Sequence, residues 1–272
     1  MNNEPFVRSN SSYLTVQPFQ QLSGRVIAGF STRENGYSIA PYNSLNLGLH
    51  VQDNDDIVIA NRKKLASDLG IALNKWVFSE QVHGNNIKKV TQKDCSAGTL
   101  IFSNSVLATD GLYTNDKNVL LASLYADCVP LYFYAPTYNM VGLAHAGWKG
   151  SVGRIGPKMV QCWTGEEQIP VEAIHVAIGP SISAQNYEVD EFVINKVKKV
   201  ITSHPYLPYK ETKPNKFSLN LKELNKQLLM DVGIKEEKIV VSNYCTFEKT
   251  DLFFSYRRKQ RTGRMMSFIG RV

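Results

Sequence analysis

A cysteine and two histidines carry the clearest chemical signal in this chain. Ala126-Asp127-Cys128-Val129-Pro130 is followed, after a short apolar hairpin, by His145-Ala146-Gly147-Trp148-Lys149-Gly150, and upstream Gln81-Val82-His83-Gly84 ends a third apolar run in a glycine. Each of the three sits where a β-rich run meets Gly, Pro or Asp, the backbone-turning residues that put side chains at a sheet edge. One thiolate and two imidazoles suit zinc, with a fourth position open to water or substrate, as in a catalytic rather than a structural site. Taken singly, each residue also has an ordinary reading. A buried cysteine most often behaves as a small hydrophobe, and a lone histidine is more often packing or surface than ligand. No Cys-x-x-Cys pair and no His-Glu-x-x-His is present, so spacing alone leaves both readings open.

Other motifs accompany these three. In chain order the sequence contains FSTRENG, SLNLG, QVHG, ADCVP, HAGWKG, IGPSIS with NYEV, FFSYRR and TGRMMSFI. Together, from about Gly29 to Ile269, they resemble the YfiH-type family of bacterial proteins, long labelled laccase-domain or polyphenol oxidase proteins. The resemblance implies that His83, Cys128 and His145 bind a catalytic zinc and so form the catalytic set, with copper able to enter the same ligands. It also implies zinc-dependent purine nucleoside phosphorylase activity. The substrates would be adenosine, inosine, guanosine and methylthioadenosine, which react with phosphate to give base and ribose 1-phosphate, and adenosine deaminase activity would accompany this.

Substrate residues are drawn from the same motifs. Arg33, in the turn after a strand, offers a forked donor suited to phosphate or carboxylate, and Asn46 lies in Ser44-Leu45-Asn46-Leu47-Gly48; both match motifs that approach the metal cleft in the family. Their ordinary readings are an exposed turn residue and an Asx-turn former. Arg257, Arg258, Lys259, Arg261 and Arg264 form the densest positive cluster. It reads as a hairpin with solvated charges turning at Arg261-Thr262-Gly263, of which Arg258 is expected to reach the site. Asp127, next to Cys128, would point to the opposite face of an extended strand, a supporting rather than a reacting position. Gly147, Gly150 and Gly153 with Lys149 only loosely resemble a phosphate loop and better serve close backbone approach beside the metal.

The elements that must position these residues follow from periodicity and turn chemistry. Strands are expected over Tyr13 to Phe19, Val26 to Thr32, Trp76 to His83, Asn86 to Thr91, Val119 to Tyr125, Cys128 to Ala135, Met140 to Ala146, Ile174 to Ile178, Ile239 to Tyr244, Leu252 to Tyr256 and Met265 to Ile269. Helices are expected from Asp55 to Leu69 with Gly70 as the stop, from Ser151 to Thr164, from Asp190 to Ile201, and after the Asn220-Leu221-Lys222-Glu223 capping box up to Gly233. Asp94 to Asp110 reads as a loop. The fold class is α+β, a single domain over residues 1–272 with mixed β-sheets packed together, and the resemblance implies helices outside them in α/β/β/α layers.

Composition narrows the function classes. The 272 residues, 43% of them hydrophobic, suffice for a sizeable core. Met1 to Asn10 contains no apolar signal-peptide core and no run is long enough to span a bilayer, so a cytoplasmic location and no membrane partner are expected. Cys95, Cys128, Cys162 and Cys245 are widely spaced and read as free thiols. A net charge of +7 is modest for this length and, without aromatic interleaving in the basic cluster, gives no case for nucleic acid. Nothing in the sequence sets an oligomeric state. A laccase is disfavoured, because its copper centres take about ten histidines and this chain has five. The His-x-Glu and Pro-Cys-x-x-Cys elements of ordinary zinc deaminases are missing too. An alternative remains, a cysteine hydrolase or amidase with Cys128 as nucleophile and His145 as base, of the kind the resemblance connects with peptidoglycan-precursor editing.

Overall fold

Apolar runs without alternation belong to strands covered on both faces, and three such runs form the middle of this molecule. The computed structural model describes residues 4–201 and 204–271; the first three of the ten N-terminal residues considered above lie outside it. The chain begins with β1 (Phe6–Arg8), β2 (Tyr13–Val16), helix α1 (Gln17–Leu22) and β3 (Val26–Ser31). Helix α2 (Asp55–Leu69) is capped by the Asn54 side chain, which accepts from Ile57 N, and is closed by Gly70 in the left-handed conformation. Six strands follow: β4 (Trp76–Phe78), β5 (Ile87–Lys89), β6 (Gly111–Thr114), β7 (Leu120–Tyr125), β8 (Val129–Ala135) and β9 (Met140–Ala146). Helices α3 (Trp148–Val152) and α4 (Ile155–Gly165) lead to β10 (His175–Ile178), β11 (Glu188–Asp190) and α5 (Glu191–Lys198). The chain continues through β12 (Tyr209–Lys213), β13 (Lys216–Leu219), α6 (Leu221–Met230), β14 (Ile239–Val241) and β15 (Met265–Arg271).

Two six-stranded mixed sheets, ordered β1-β2-β3-β15-β7-β4 and β14-β10-β8-β9-β6-β5, are joined by a small sheet β11-β13-β12. Side-chain alternation assigns the layers. Leu121 and Tyr125 of β7 pack with Tyr132, Tyr134, Val141 and Leu143 of the second sheet, whereas Leu120, Ala122 and Leu124 pack with Leu65, Ala66 and Leu69 of α2. On the far side, Val129, Leu131 and Phe133 of β8 pack with Met159, Val160 and Trp163 of α4 and with Leu224, Leu228 and Leu229 of α6. The order is therefore helix, sheet, sheet, helix, the α+β architecture expected.

Several elements differ from the sequence reading, among them four with a clear local reason. The strand from Tyr13 stops at Val16 because Pro18 fits the first turn of α1. The run from Trp76 leaves the sheet after Phe78, since the N–H groups of Val82, His83 and Gly84 donate to the Asp110 carboxylate instead of a neighbouring strand. The expected helix 151–164 starts earlier and is broken at Gly153 and Arg154, the latter at φ 58°. Residues 252–264 form neither strand nor hairpin; Arg257 N donates to Asp127 Oδ2 and Phe254 N to Met265 Sδ, so side-chain acceptors replace a strand partner.

Candidate active site

Alternation also decides where the cysteine and histidines point. On β9, Ala144 and Ala146 face the helices, so His145 faces the layer between the sheets. The β8–β9 register pairs Pro130 with His145, and Cys128, just before β8, packs against the same inter-sheet layer. His83 arrives from the segment after β4, with its backbone at φ 60°. The ligand atoms of His83, Cys128 and His145 all lie within 4.8 Å of one another.

Asp110 organises this convergence. Its Oδ1 accepts from His83 N at 3.0 Å and pairs with His145 Nδ1 at 2.9 Å, and its Oδ2 accepts from Val82 N at 3.2 Å and Gly84 N at 2.8 Å. One carboxylate thus fixes the unusual backbone of His83 and directs His145 Nε2 toward Cys128, the orientation a metal-binding histidine needs. Gly147 supplies the space. A Cβ at that position would lie 3.0 Å from Cys128 Sγ and 3.3 Å from His83 Cδ2, so only a glycine lets the three side chains close up. The donor set and this cradle fit a borderline-soft divalent metal.

Electrostatics agree. Burial opposes charge on Cys128, yet His145 and hydrogen bonds from both imidazoles outweigh it and hold the thiol below its usual range. Burial likewise opposes protonation of His145, and Cys128 together with Asp110 overcomes it, holding the imidazole above its usual range. A thiolate is therefore available at neutral pH. Asp127 supports the turn from behind at φ 99°, its carboxylate accepting from Thr246 Oγ1, Ser255 Oγ and Arg257 N.

The cluster forms the floor of a cavity of about 580 Å³, within the range of small-molecule sites. Val82, Phe102, Leu124 and the Tyr256 ring give it apolar walls, and Glu80, His50 and Arg264 also line it. Val82 and Tyr256 are each 49% exposed and Phe102 37%, surface that a bound planar group would cover. Phe102 and His50 lie ring to ring at 5.7 Å.

The residues expected to bind substrate are placed differently. Arg33 gives Nε and Nη2 to Asn43 O and Nη1 to Thr250 O, lies over the Phe254 ring, and lines a separate shallow depression. Arg258 gives Nη1 to Thr246 O and Phe247 O and Nη2 to Phe253 O. Neither lines the cavity; both tie loops together through carbonyls. Asn46 is fully buried, donating to Asp53 Oδ2 and accepting from Gly48 N and Arg264 N. The rest of the basic cluster is similarly dispersed, with Arg257 over Tyr187 and Arg261 donating to the Tyr42 hydroxyl. Sequence reasoning missed Asp110, seen only as the end of a loop, and Arg264, counted as one of five basic residues.

The fold and the site together define a four-layer α+β sandwich with a His-Cys-His cluster between its sheets. The family described as multi-copper polyphenol oxidoreductase laccase matches residues 27–272, and the chain belongs to this family, the YfiH-type group its motifs resemble. The purine nucleoside phosphorylase YlmD of Bacillus subtilis is 46% identical over 270 residues, 98% of this chain and 97% of the relative. A purine nucleoside phosphorylase of Staphylococcus epidermidis is 37% identical over 244 residues, covering 89% and 90%. The crystal structure of YlmD from Geobacillus stearothermophilus superposes with a TM-score of 0.96 at 43% identity, covering 99% of each chain. Among the described residues, no helix is long and apolar enough to cross a membrane.

Proposed function

We propose that this chain is a zinc-dependent purine nucleoside phosphorylase acting on adenosine, inosine, guanosine and methylthioadenosine, with adenosine deamination at the same site. The observation that carries this reading is the cavity itself, where a His83–Cys128–His145 cluster lies beneath apolar walls sized for a purine and beside one arginine, Arg264. When bound by these three residues, zinc would supply a Lewis acid with an open position for an anion or water. Val82, Phe102, Leu124 and Tyr256 would hold the base and exclude water. Glu80 has Oε2 engaged by Ala108 N, and its other oxygen is available to accept from a ribose hydroxyl and to carry a proton during deamination. His50, held neutral, would present a ring N–H to the departing purine. In phosphorolysis the glycosidic C1′–N bond breaks, a phosphate oxygen bonds C1′, and the base leaves with a proton.

Copper oxidation is a weaker reading, because His175 contacts Lys238 and His204 contacts Asp231 and neither belongs to the His83–Cys128–His145 group; copper could still enter the three ligands. A cytoplasmic setting suits a thiolate ligand that must stay reduced. The test is metal-defined protein incubated with inosine, with and without phosphate. Phosphate-dependent hypoxanthine release with ribose 1-phosphate supports the reading, and equal release in phosphate-free buffer with free ribose refutes it. The Cys128–His145 proximity also favours a second reading, a cysteine hydrolase acting on amides. Stoichiometric zinc retained through purification would occupy Cys128 and exclude it.

A further inference from the structure

We propose that Arg264 is the anion anchor of the cavity, seating inorganic phosphate beside the His83–Cys128–His145 cluster; the proposal deepens the phosphorylase reading and rests on it. Among the described residues lining the cavity, Arg264 is the only arginine or lysine. Its guanidinium is half committed. Nη1 donates to Thr262 O at 2.9 Å and Gly263 O at 3.1 Å, which fixes the plane of the group, while Nε and Nη2 have no partner among the described residues. Nε and Nη2 form the side-on fork that binds two oxygens of one phosphate in parallel. Arg33 spends the same fork on the Asn43 carbonyl and Arg258 gives three bonds to loop carbonyls, and neither lines the cavity.

The surroundings are built to present this side chain. Arg264 N donates to Asn46 Oδ1 at 2.9 Å, and Arg264 O accepts from Leu47 N at 3.1 Å, so the Ser44–Gly48 segment grips both sides of its peptide. A Cβ at Gly48 would lie 2.9 Å from Arg264 Cγ and 3.3 Å from His50 Cε1; glycine there clears the path of the side chain. Asn46 is thereby a positioning residue, acting on substrate through Arg264. With Arg264 and the His83–Cys128–His145 cluster both lining the cavity, a phosphate dianion would be held by the guanidinium together with the positive charge a bound metal would supply, leaving the apolar wall for the base.

The test uses zinc-loaded full-length protein, inorganic phosphate titrated by calorimetry, and steady-state phosphorolysis of inosine. In Arg264→Gln, the phosphate Kd and the KM for phosphate should rise on the order of tenfold to a hundredfold, with bound zinc and the KM for inosine near wild type. Asn46→Ala, which keeps the guanidinium but removes its mount, should raise the phosphate KM by a smaller factor. Millimolar guanidinium should partly restore an Arg264→Ala protein. Wild-type phosphate affinity in folded Arg264→Gln, or a rise confined to the inosine KM, would overturn the assignment. Phosphate binding that depends on Arg264 in a protein that performs no phosphorolysis would instead sink the phosphorylase reading and leave the anion site standing.

Discussion

Replacing Asp110 by Asn tests whether one carboxylate holds the metal ligands in place. Its two oxygens receive four donors, and an asparagine of the same shape can offer only one acceptor oxygen. With the amide nitrogen at the Oδ2 position, Val82 N and Gly84 N lose their acceptor and the turn presenting His83 loosens. With the nitrogen at the Oδ1 position, His83 N is opposed and His145 must accept at Nδ1. That tautomer carries its proton on Nε2, where a metal would bind. Either way two charge-assisted hydrogen bonds are lost. At about 1.5–3 kcal/mol each the ceiling is about 3–6 kcal/mol, and rehydration of the half-buried turn brings the expected stability loss to about 1–3 kcal/mol. Zinc affinity should fall by about tenfold to a hundredfold, the usual cost of removing an outer partner of a ligating histidine and equal to about 1.4–2.7 kcal/mol. Competition against a chromophoric chelator at pH 7 gives the affinity, and urea denaturation of the metal-free protein gives the stability. An Asp110→Asn protein whose zinc affinity stays within about twofold of wild type would refute this reasoning.

Gly147→Ala should fold normally, since its backbone is extended at φ −64°, yet bind zinc several-fold more weakly as the added methyl pushes on Cys128 Sγ; unchanged affinity in the chelator assay would remove Gly147 from the cradle. Arg258→Met should cost about 2–4 kcal/mol in urea denaturation, for three charge-assisted bonds partly replaced by water, and leave zinc content unchanged. Unaltered stability with lost phosphorolysis would return Arg258 to the substrate. Burial, then Arg264 and Arg62, hold His50 down to about 4 from an ordinary value of 6.5. Between those pH values the unfolded chain keeps a proton on this residue that the folded chain lacks, so stability rises with pH across the window. His50→Asn should flatten that rise in denaturation curves taken from pH 4.5 to 7, and superimposable slopes would contradict the burial argument.

The convergence of His83, Cys128 and His145 was legible because these residues end apolar runs at turning residues, and strand geometry then leaves few places for their side chains to go. The layering was legible for a related reason: the runs 120–125, 129–135 and 140–146 have no polar face, so each sheet must be covered on both sides. What stayed hidden depends on partners distant in sequence. Asp110 reads as the end of a loop until Val82, His83 and Gly84 are seen to donate to it, and the same bonds are why the strand from Trp76 ends early. Arg33 and Arg258 have the right chemistry for an anion, but carbonyls of Asn43, Thr250, Thr246, Phe247 and Phe253 hold them outside the cavity lining. Arg264 was indistinguishable from its basic neighbours because the Asn46 clamp and the Gly48 clearance exist only in the folded chain.

Strand β15 lies in the interior of the first sheet, bonded to β3 on one edge and to β7 on the other. Synthesis delivers β3 and β7 long before β15, so during translation both strands wait with open hydrogen-bonding edges facing a gap. Closing that gap requires one of the longest loops in the molecule to form, which places sheet completion late and makes folding slow relative to a helical protein of this size. Until then, unpaired edges and the apolar faces of β3 and β7 are open to other chains. The same event carries Arg264 into position as the residue preceding β15, so the cavity is completed as the sheet closes, and partly made chains carry His83, Cys128 and His145 without the cation that lines the cavity with them.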